Sequence, residues 1–286
     1  MNYNHTVFKA LQRAFLLLDQ YHRDHSSAEY LMEQWQHWNH TQLLLHYRDE
    51  LSDKQWVTFQ TMIQRVINNE PPQYILGCAP FNDYEFKVTP AVLIPRLETE
   101  ELCAWALESI IKNHYHRILD IGTGSGILAI TLKKKIPSLD VTATDISAAA
   151  LQVARYNAKH LHAQIDFKQG DLFEPVQHQK FDLIISNPPY IAQNEVDVMD
   201  PSVYQHEPHI ALFASHHGLA IYEQMAPQLR QHLNKNGQVF LEFGYHQQPA
   251  LAQIFKRTWP QATLHFRKDI TGKYRMLQII APKENE

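Results

Sequence analysis

The sequence predicts a two-part α/β protein, a small helical bundle followed by a parallel sheet covered with helices on both faces. Three observations carry that expectation. Residues 1–70 repeat their apolar positions at three and four, the period of helices with one buried face. From residue 98 onward, short apolar runs alternate with helical stretches, the signature of a doubly covered sheet. The 286 residues, 44% hydrophobic and 20% charged, suffice for two parts that each bury a core.

In the front part, Val7, Leu11, Ala14, Phe15 and Leu18 mark a first helix. Ser26-Ser27 is placed to cap a second, running through Tyr30, Leu31 and Trp35. A third fits Thr41–Glu50. Ser52, with Gln55 three residues on, caps a fourth that carries Trp56, Phe59, Ile63 and Ile67. Pro71-Pro72 closes the series. Residues 71–97 then read as a hairpin linker, Tyr74–Gly77 followed by Phe81–Val88, with its turn at Asn82-Asp83.

Residues 98–286 supply the sheet. Strands are expected at Arg117–Ile121, Val141–Asp145, Gln164–Gln169, Phe181–Ser186 and Gln238–Phe243, with weaker ones at Thr263–Phe266 and Arg275–Ile280. Helices are expected at Glu98–Lys112, Gly126–Lys135, Ala148–His160, Leu219–Leu233 and Gln248–Trp259.

Charge and composition narrow the function. A net charge of −4 gives no global basic field for nucleic-acid phosphates. Residues 1–70 hold six Lys and Arg against eight Asp and Glu, which suits recognition of a protein partner. Cys78 and Cys103 form no CxxC pair, so neither a disulfide framework nor a cysteine zinc site is expected. The 18 histidines lack Cys, Asp or Glu partners at ligand spacing, so they read as surface residues and no metal is expected. Met1–His5 shows no signal-peptide pattern, and the apolar run Ala14–Leu18 is too short to span a bilayer. A cytoplasmic protein without a membrane partner is expected.

The first chemical signal is Ile118-Leu119-Asp120-Ile121-Gly122-Thr123-Gly124-Ser125-Gly126, an apolar strand running through a glycine loop into a helix. Glycines let the turn take positive φ and let a ligand lie on the backbone. The GxGxG spacing differs from the GxGxxG of dinucleotide sites, where NAD is the competing ligand. Asp145 ends the second strand, placed to accept from ribose hydroxyls, and Asp120 is placed to face a positively charged methionine moiety. Asp171 is placed to accept from an adenine amino group, with Leu172 against the ring. Together they point to S-adenosylmethionine bound by Gly122, Thr123, Gly124, Ser125, Gly126, Asp145, Asp171, Leu172 and Asn187, on a Rossmann-like class I methyltransferase sheet.

The second signal is Asn187-Pro188-Pro189-Tyr190, directly after the apolar strand ending at Ser186. Two prolines remove two N–H donors and keep their carbonyls, which makes a rigid, acceptor-rich rim. An amide or aromatic amino nitrogen is a poor nucleophile because its lone pair is delocalised. The Asn187 side-chain oxygen and the Pro188 carbonyl each accept one N–H of such an –NH₂ group. That fixes the nitrogen for alignment at about 3–3.5 Å from the methyl group, and Tyr190 offers a flat face for stacking.

With these residues, the chain resembles the release-factor glutamine methyltransferases, the HemK/PrmC family. The resemblance runs from about Gln73 to Arg275 and rests on the order of several segments. They are Val92-Leu93-Ile94-Pro95-Arg96-Leu97-Glu98-Thr99-Glu100, the glycine loop, Asp145, Ser186–Ile191, Tyr204–Leu212, Leu241-Glu242-Phe243-Gly244, and Asp269 with Gly272 and Arg275. Leu97 stands where the family usually has proline, a change expected to touch only the start of the next helix. The resemblance implies that the substrate is the glutamine of the Gly-Gly-Gln motif in peptide chain release factors. Asn187, Pro188, Pro189 and Tyr190 would hold it, the helical domain would grip the factor, and no direct nucleic-acid contact is implied. The Asn-Pro-Pro-Tyr type is shared with enzymes that methylate adenine N6 in DNA or RNA, which is the alternative function.

Overall fold

The computed structural model describes residues 5–282. Met1–Asn4, on which the reading of the amino terminus mostly falls, lie outside the described residues, as do residues 283–286. The chain forms two compact units, residues 5–78 with 200–206, and residues 79–199 with 207–282.

The first unit is built of helices Val7–Gln20, Ser26–Gln36, His40–Leu45, Asp53–Ile67 and Pro72–Leu76. Leu11, Leu18, Leu31, Phe59 and Ile63 meet in its core. Ser52 and Gln55 form the expected capping box, and Asn39 and Gln42 form a second. The third helix stops at Leu45 rather than at Glu50. The segment after it leaves helical geometry to serve the first helix, whose initial N–H groups have no partner of their own. Val7 N donates to Asp49 O and Phe8 N to Tyr47 O, each at 3.0 Å. The second helix begins at Ser26, with His25 as N-cap and Ser26 N donating to Asp24 Oδ1. Helix Pro201–His206 packs in this unit, with Asn69 Nδ2 donating to Gln205 Oε1 at 3.0 Å.

Tyr74–Leu76 is helical, not the first arm of a hairpin. Pro72 presets the first turn, Gly77 ends it at φ 77°, and the turn buries Tyr74 and Ile75. The hairpin consists of β1, Cys78–Phe81, and β2, Tyr84–Lys87, turning at Asn82-Asp83 as expected, with Asn82 at φ 51°.

The second unit holds a seven-stranded sheet. Its strands are β3 (Arg117–Ile121), β4 (Asp140–Asp145), β5 (Asp166–Gln169), β6 (Phe181–Ser186), β7 (Leu233–Glu242), β8 (Thr263–Lys268) and β9 (Tyr274–Ile280). The order is β5-β4-β3-β6-β7-β9-β8. The first five are parallel, whereas β9 runs antiparallel to both β7 and β8. The sheet is therefore mixed. The β8–β9 connection, closed by Gly272 N donating to Asp269 O, is too short for the crossover that parallel pairing needs. Helices Leu97–Asn113, Ile127–Lys135, Ala148–His160, Ala220–His232 and Gln248–Thr258 lie at the expected places. Leu97 opens its helix with an exposed side chain, so proline is not required there. Two apolar clusters, around Ile184 and Leu241 and around Ile118 and Leu183, cover the two faces.

β3 and β6 are neighbours, and from them the order runs outward both ways, through β4 to β5 and through β7. Ligands of open α/β sheets lie at the carboxyl ends of strands at such a switch point. The glycine loop follows β3 and Asn187 follows β6.

Candidate active site

A cavity of about 370 Å³ opens at this switch point, within the usual range of small-molecule sites. Its glycine wall is held by backbone bonds. Gly122 N and Thr123 N donate to Thr144 O at 2.9 and 3.0 Å, which ties the loop to the end of β4. Gly124 N donates to Asp145 Oδ2 and Ser147 N to Asp145 Oδ1, each at 2.8 Å. Asp145 is thus held by two backbone donors while burial raises its pKa, and each oxygen retains a lone pair for a ligand. A Cβ added at Gly122 or Gly124 would meet no atom within 4 Å, so the backbone there borders open space.

Gly122, Thr123, Gly124, Ser125, Asp145, Asp171 and Leu172 all line the cavity. Gly126 does not. A Cβ on Gly126 would come within 2.7 Å of Ile130 Cδ1, so this glycine permits close packing at the start of helix Ile127–Lys135. Asp120 also lies beneath the loop rather than in the cavity wall. Its Oδ2 accepts from Thr123 Oγ1 at 2.6 Å and from Ala129 N at 3.2 Å. Its buried Oδ1 has no partner among the described residues, and burial pushes its pKa up to about 7. Leu172 holds φ at 45°, a strained conformation for a side chain of its kind, and its carbonyl accepts from Thr144 Oγ1 at 3.4 Å.

Asn187, Pro188 and Pro189 line the same cavity. Asn187 Nδ2 donates to Thr99 Oγ1 at 3.0 Å, and Thr99 Oγ1 donates to Glu242 Oε2 at 2.7 Å. Tyr190 is placed differently from the stacking platform the sequence suggested. It lies outside the cavity lining, packed against the apolar cluster of β6 and β7. Its hydroxyl donates to Glu242 Oε1 at 3.2 Å, and its carbonyl accepts from Gln247 Nε2 at 2.8 Å. Burial raises the Tyr190 pKa well above its ordinary value.

The Methyltransferase small domain family matches residues 102–204, and the PrmC N-terminal domain family matches residues 9–77. A release factor glutamine methyltransferase of Lactococcus lactis is 43% identical over 81% of this chain and 85% of its own. One from Staphylococcus aureus is 40% identical over 94% of this chain and 97% of its own. The chain belongs to the release factor glutamine methyltransferase family. At the level of fold, it resembles the hMettl16 catalytic domain solved with MAT2A 3'UTR hairpin 1. The TM-score is 0.56, with 15% identity, covering 82% of this chain and 85% of that one.

Within this family framework the structure adds residues to which sequence reading gave no role. Thr99 and Glu242 are each only 1% exposed, and both belong to the site through Asn187 and Tyr190. Burial pushes the Glu242 carboxyl up to about 7, with the Thr99 bond acting against it. Glu207 accepts from Ile94 N at 3.0 Å and pairs with Arg96, which fixes the segment 91–96 that closes the cavity beside Ile210 and Ala211. The available signal was a single acidic residue ending an apolar strand, Leu241-Glu242-Phe243. Among the described residues, no group of three or more His, Cys, Asp or Glu is placed to hold a metal ion. No helix among them is long and apolar enough to cross a membrane.

Proposed function

We propose that this protein methylates the side-chain amide nitrogen, N5, of the glutamine in the Gly-Gly-Gln motif of peptide chain release factors, with S-adenosylmethionine as donor. The observation that carries the reading is that Asn187-Pro188-Pro189 and the glycine loop line one and the same cavity at the β3/β6 switch point. The residues present fit the donor. Open space lies beside Gly122 and Gly124, and Asp145 is held with lone pairs to spare for a ribose. Asp171 and Leu172 stand at the lip for an adenine ring. When bound, S-adenosylmethionine supplies an electrophilic methyl group.

The chain's own residues then orient the acceptor. Asn187 Oδ1 and the Pro188 carbonyl accept the two N–H bonds of the amide, which fixes the nitrogen and turns its lone pair toward the donor. Neither oxygen has a partner among the described residues. The largely apolar segment Val92–Pro95 helps to exclude water. Tyr190 acts from behind the wall, through Glu242.

The helical unit, acidic overall and carrying the exposed apolar residues Leu16, Leu44, Leu45 and Val57, suits a grip on a protein partner. We assign residues 1–70 this recognition role, residues 71–97 the linker and residues 98–286 the chemistry, in a cytoplasmic enzyme. The test is methyl transfer from labelled S-adenosylmethionine to a purified release factor, to its Gln→Ala variant in the Gly-Gly-Gln motif, and to duplex DNA. Label in the wild-type factor alone is expected. Label in DNA alone would replace the glutamine reading with the adenine one.

A further inference from the structure

A single buried carboxylate holds both ends of the Asn187–Tyr190 segment. Tyr190 O–H donates to Glu242 Oε1 at 3.2 Å, and Thr99 Oγ1–H donates to Glu242 Oε2 at 2.7 Å. Thr99 in turn accepts from Asn187 Nδ2 at 3.0 Å. All of these partners lie in the same unit, on helix Leu97–Asn113, on β7 and after β6.

The polarity of these bonds is set from the carboxylate outward. Above pH 7, where Glu242 is ionised, its carboxylate only accepts, and a threonine hydroxyl has one proton and two lone pairs. The Thr99 proton is committed to Glu242, so Thr99 meets Asn187 with a lone pair. Only the –NH₂ end of an amide answers a lone pair. We infer that Thr99 and Glu242 are positioning residues that lock the Asn187 amide with Nδ2 turned away and Oδ1 presented to the acceptor. The lock rests on the glutamine reading, because an –NH₂ substrate needs an acceptor there. If Asn187 turned its own –NH₂ group to the cavity, two donors would face each other. The same carboxylate commits the Tyr190 hydroxyl and so fixes the far end of the double proline. Gln247 completes that end, since its Nε2 donates to Tyr190 O and its Oε1 accepts from Gly244 N at 2.9 Å.

The test compares Thr99→Val, which keeps the shape and removes the hydroxyl, with Thr99→Ser, which keeps the hydroxyl. In the full chain, Thr99→Val is expected to lower kcat for the release factor by about 10- to 100-fold, the cost of a misplaced reacting group. The KM for the factor and the Kd for S-adenosylmethionine should stay within about threefold of wild type, and Thr99→Ser should recover most of the loss. NMR of the protein with isotope-labelled asparagine reads the lock without any acceptor. One Asn187 amide proton should be protected from exchange in wild type and Thr99→Ser, and unprotected in Thr99→Val. Wild-type kcat in Thr99→Val, or equal impairment of Thr99→Ser and Thr99→Val, would overturn the lock, as would unchanged protection. Failure of the wild-type enzyme to label the factor would overturn the glutamine reading instead, and the exchange measurement would still decide the lock.

Discussion

The two ends of the cavity are built by different means. The glycine end is a continuous stretch, one β–α turn clipped to the tip of β4 by backbone donors and one aspartate. The acceptor end is assembled from Asn187, Thr99 and Glu242, in which the two linking bonds span 88 and 143 positions. A wall made of backbone follows from local sequence. A wall made by a chain of side chains exists only once the sheet has brought its members together.

Two glycines sharpen that contrast. Gly218, at φ 80°, sits under the acceptor end, where an added Cβ would lie 2.0 Å from Tyr190 O and 2.5 Å from Gln247 Nε2. Gly218→Ala should cost about 3 kcal/mol from strain and forced displacement together. Chemical denaturation measures this, and a stability equal to wild type would show that the Tyr190 segment is not tightly held.

An intermediate effect is expected of Glu242→Gln, and its sign depends on pH. The folded Glu242 pKa lies near 7 against an ordinary 4.5, so the folded state binds this proton more tightly than the unfolded chain. The associated stabilisation is complete below 4.5 and is lost as pH rises through 7. Glu242→Gln removes that loss, so its Tm relative to wild type should rise between pH 5.5 and pH 8. A constant or falling difference would contradict the burial of an ionisable carboxyl there.

At the glycine end, Gly124→Ala puts a methyl group into the open space proposed for the donor, with a φ of 56° adding strain. A cost of about 1 kcal/mol is expected, seen as a several-fold weaker Kd for S-adenosylmethionine in calorimetry. The smallest effect belongs to the helical unit. Leu45 is 75% exposed, and Leu45→Asp should raise the KM for the release factor about fivefold while leaving the S-adenosylmethionine Kd unchanged. Parallel changes in both would argue against a recognition surface on that unit.

The same division explains what the sequence made legible. The strand and helix alternation from residue 98, the glycine loop and the proline pair were readable because local pattern dictates them. Tyr74–Leu76 misled because its apolar run fits a strand as well as a helix, and the proline before it and Gly77 decide for the helix. The shortened third helix reflects a tertiary demand, the unpaired N–H groups of Val7 and Phe8 drawing residues 47–49 out of helical form. Tyr190 looked like a stacking platform because an aromatic beside a rim suggests one. Its hydroxyl is claimed by Glu242, an acidic strand end whose partners lie 52 and 143 positions away in the chain. Gly126 shares the spacing of its two neighbours yet stays out of the cavity lining; its φ of 86° starts the next helix and its missing side chain makes room for Ile130.

The measurement that bears most directly on a two-ended site is a paired one on Asn187→Ala, with the S-adenosylmethionine Kd by calorimetry and single-turnover methyl transfer to the release factor in the same preparation. The expected result is a Kd within about threefold of wild type and a transfer rate lower by about 100-fold or more, because an interaction made with the acceptor has been removed. Transfer at the wild-type rate, or a Kd that weakens as much as the rate falls, would contradict a separate acceptor end.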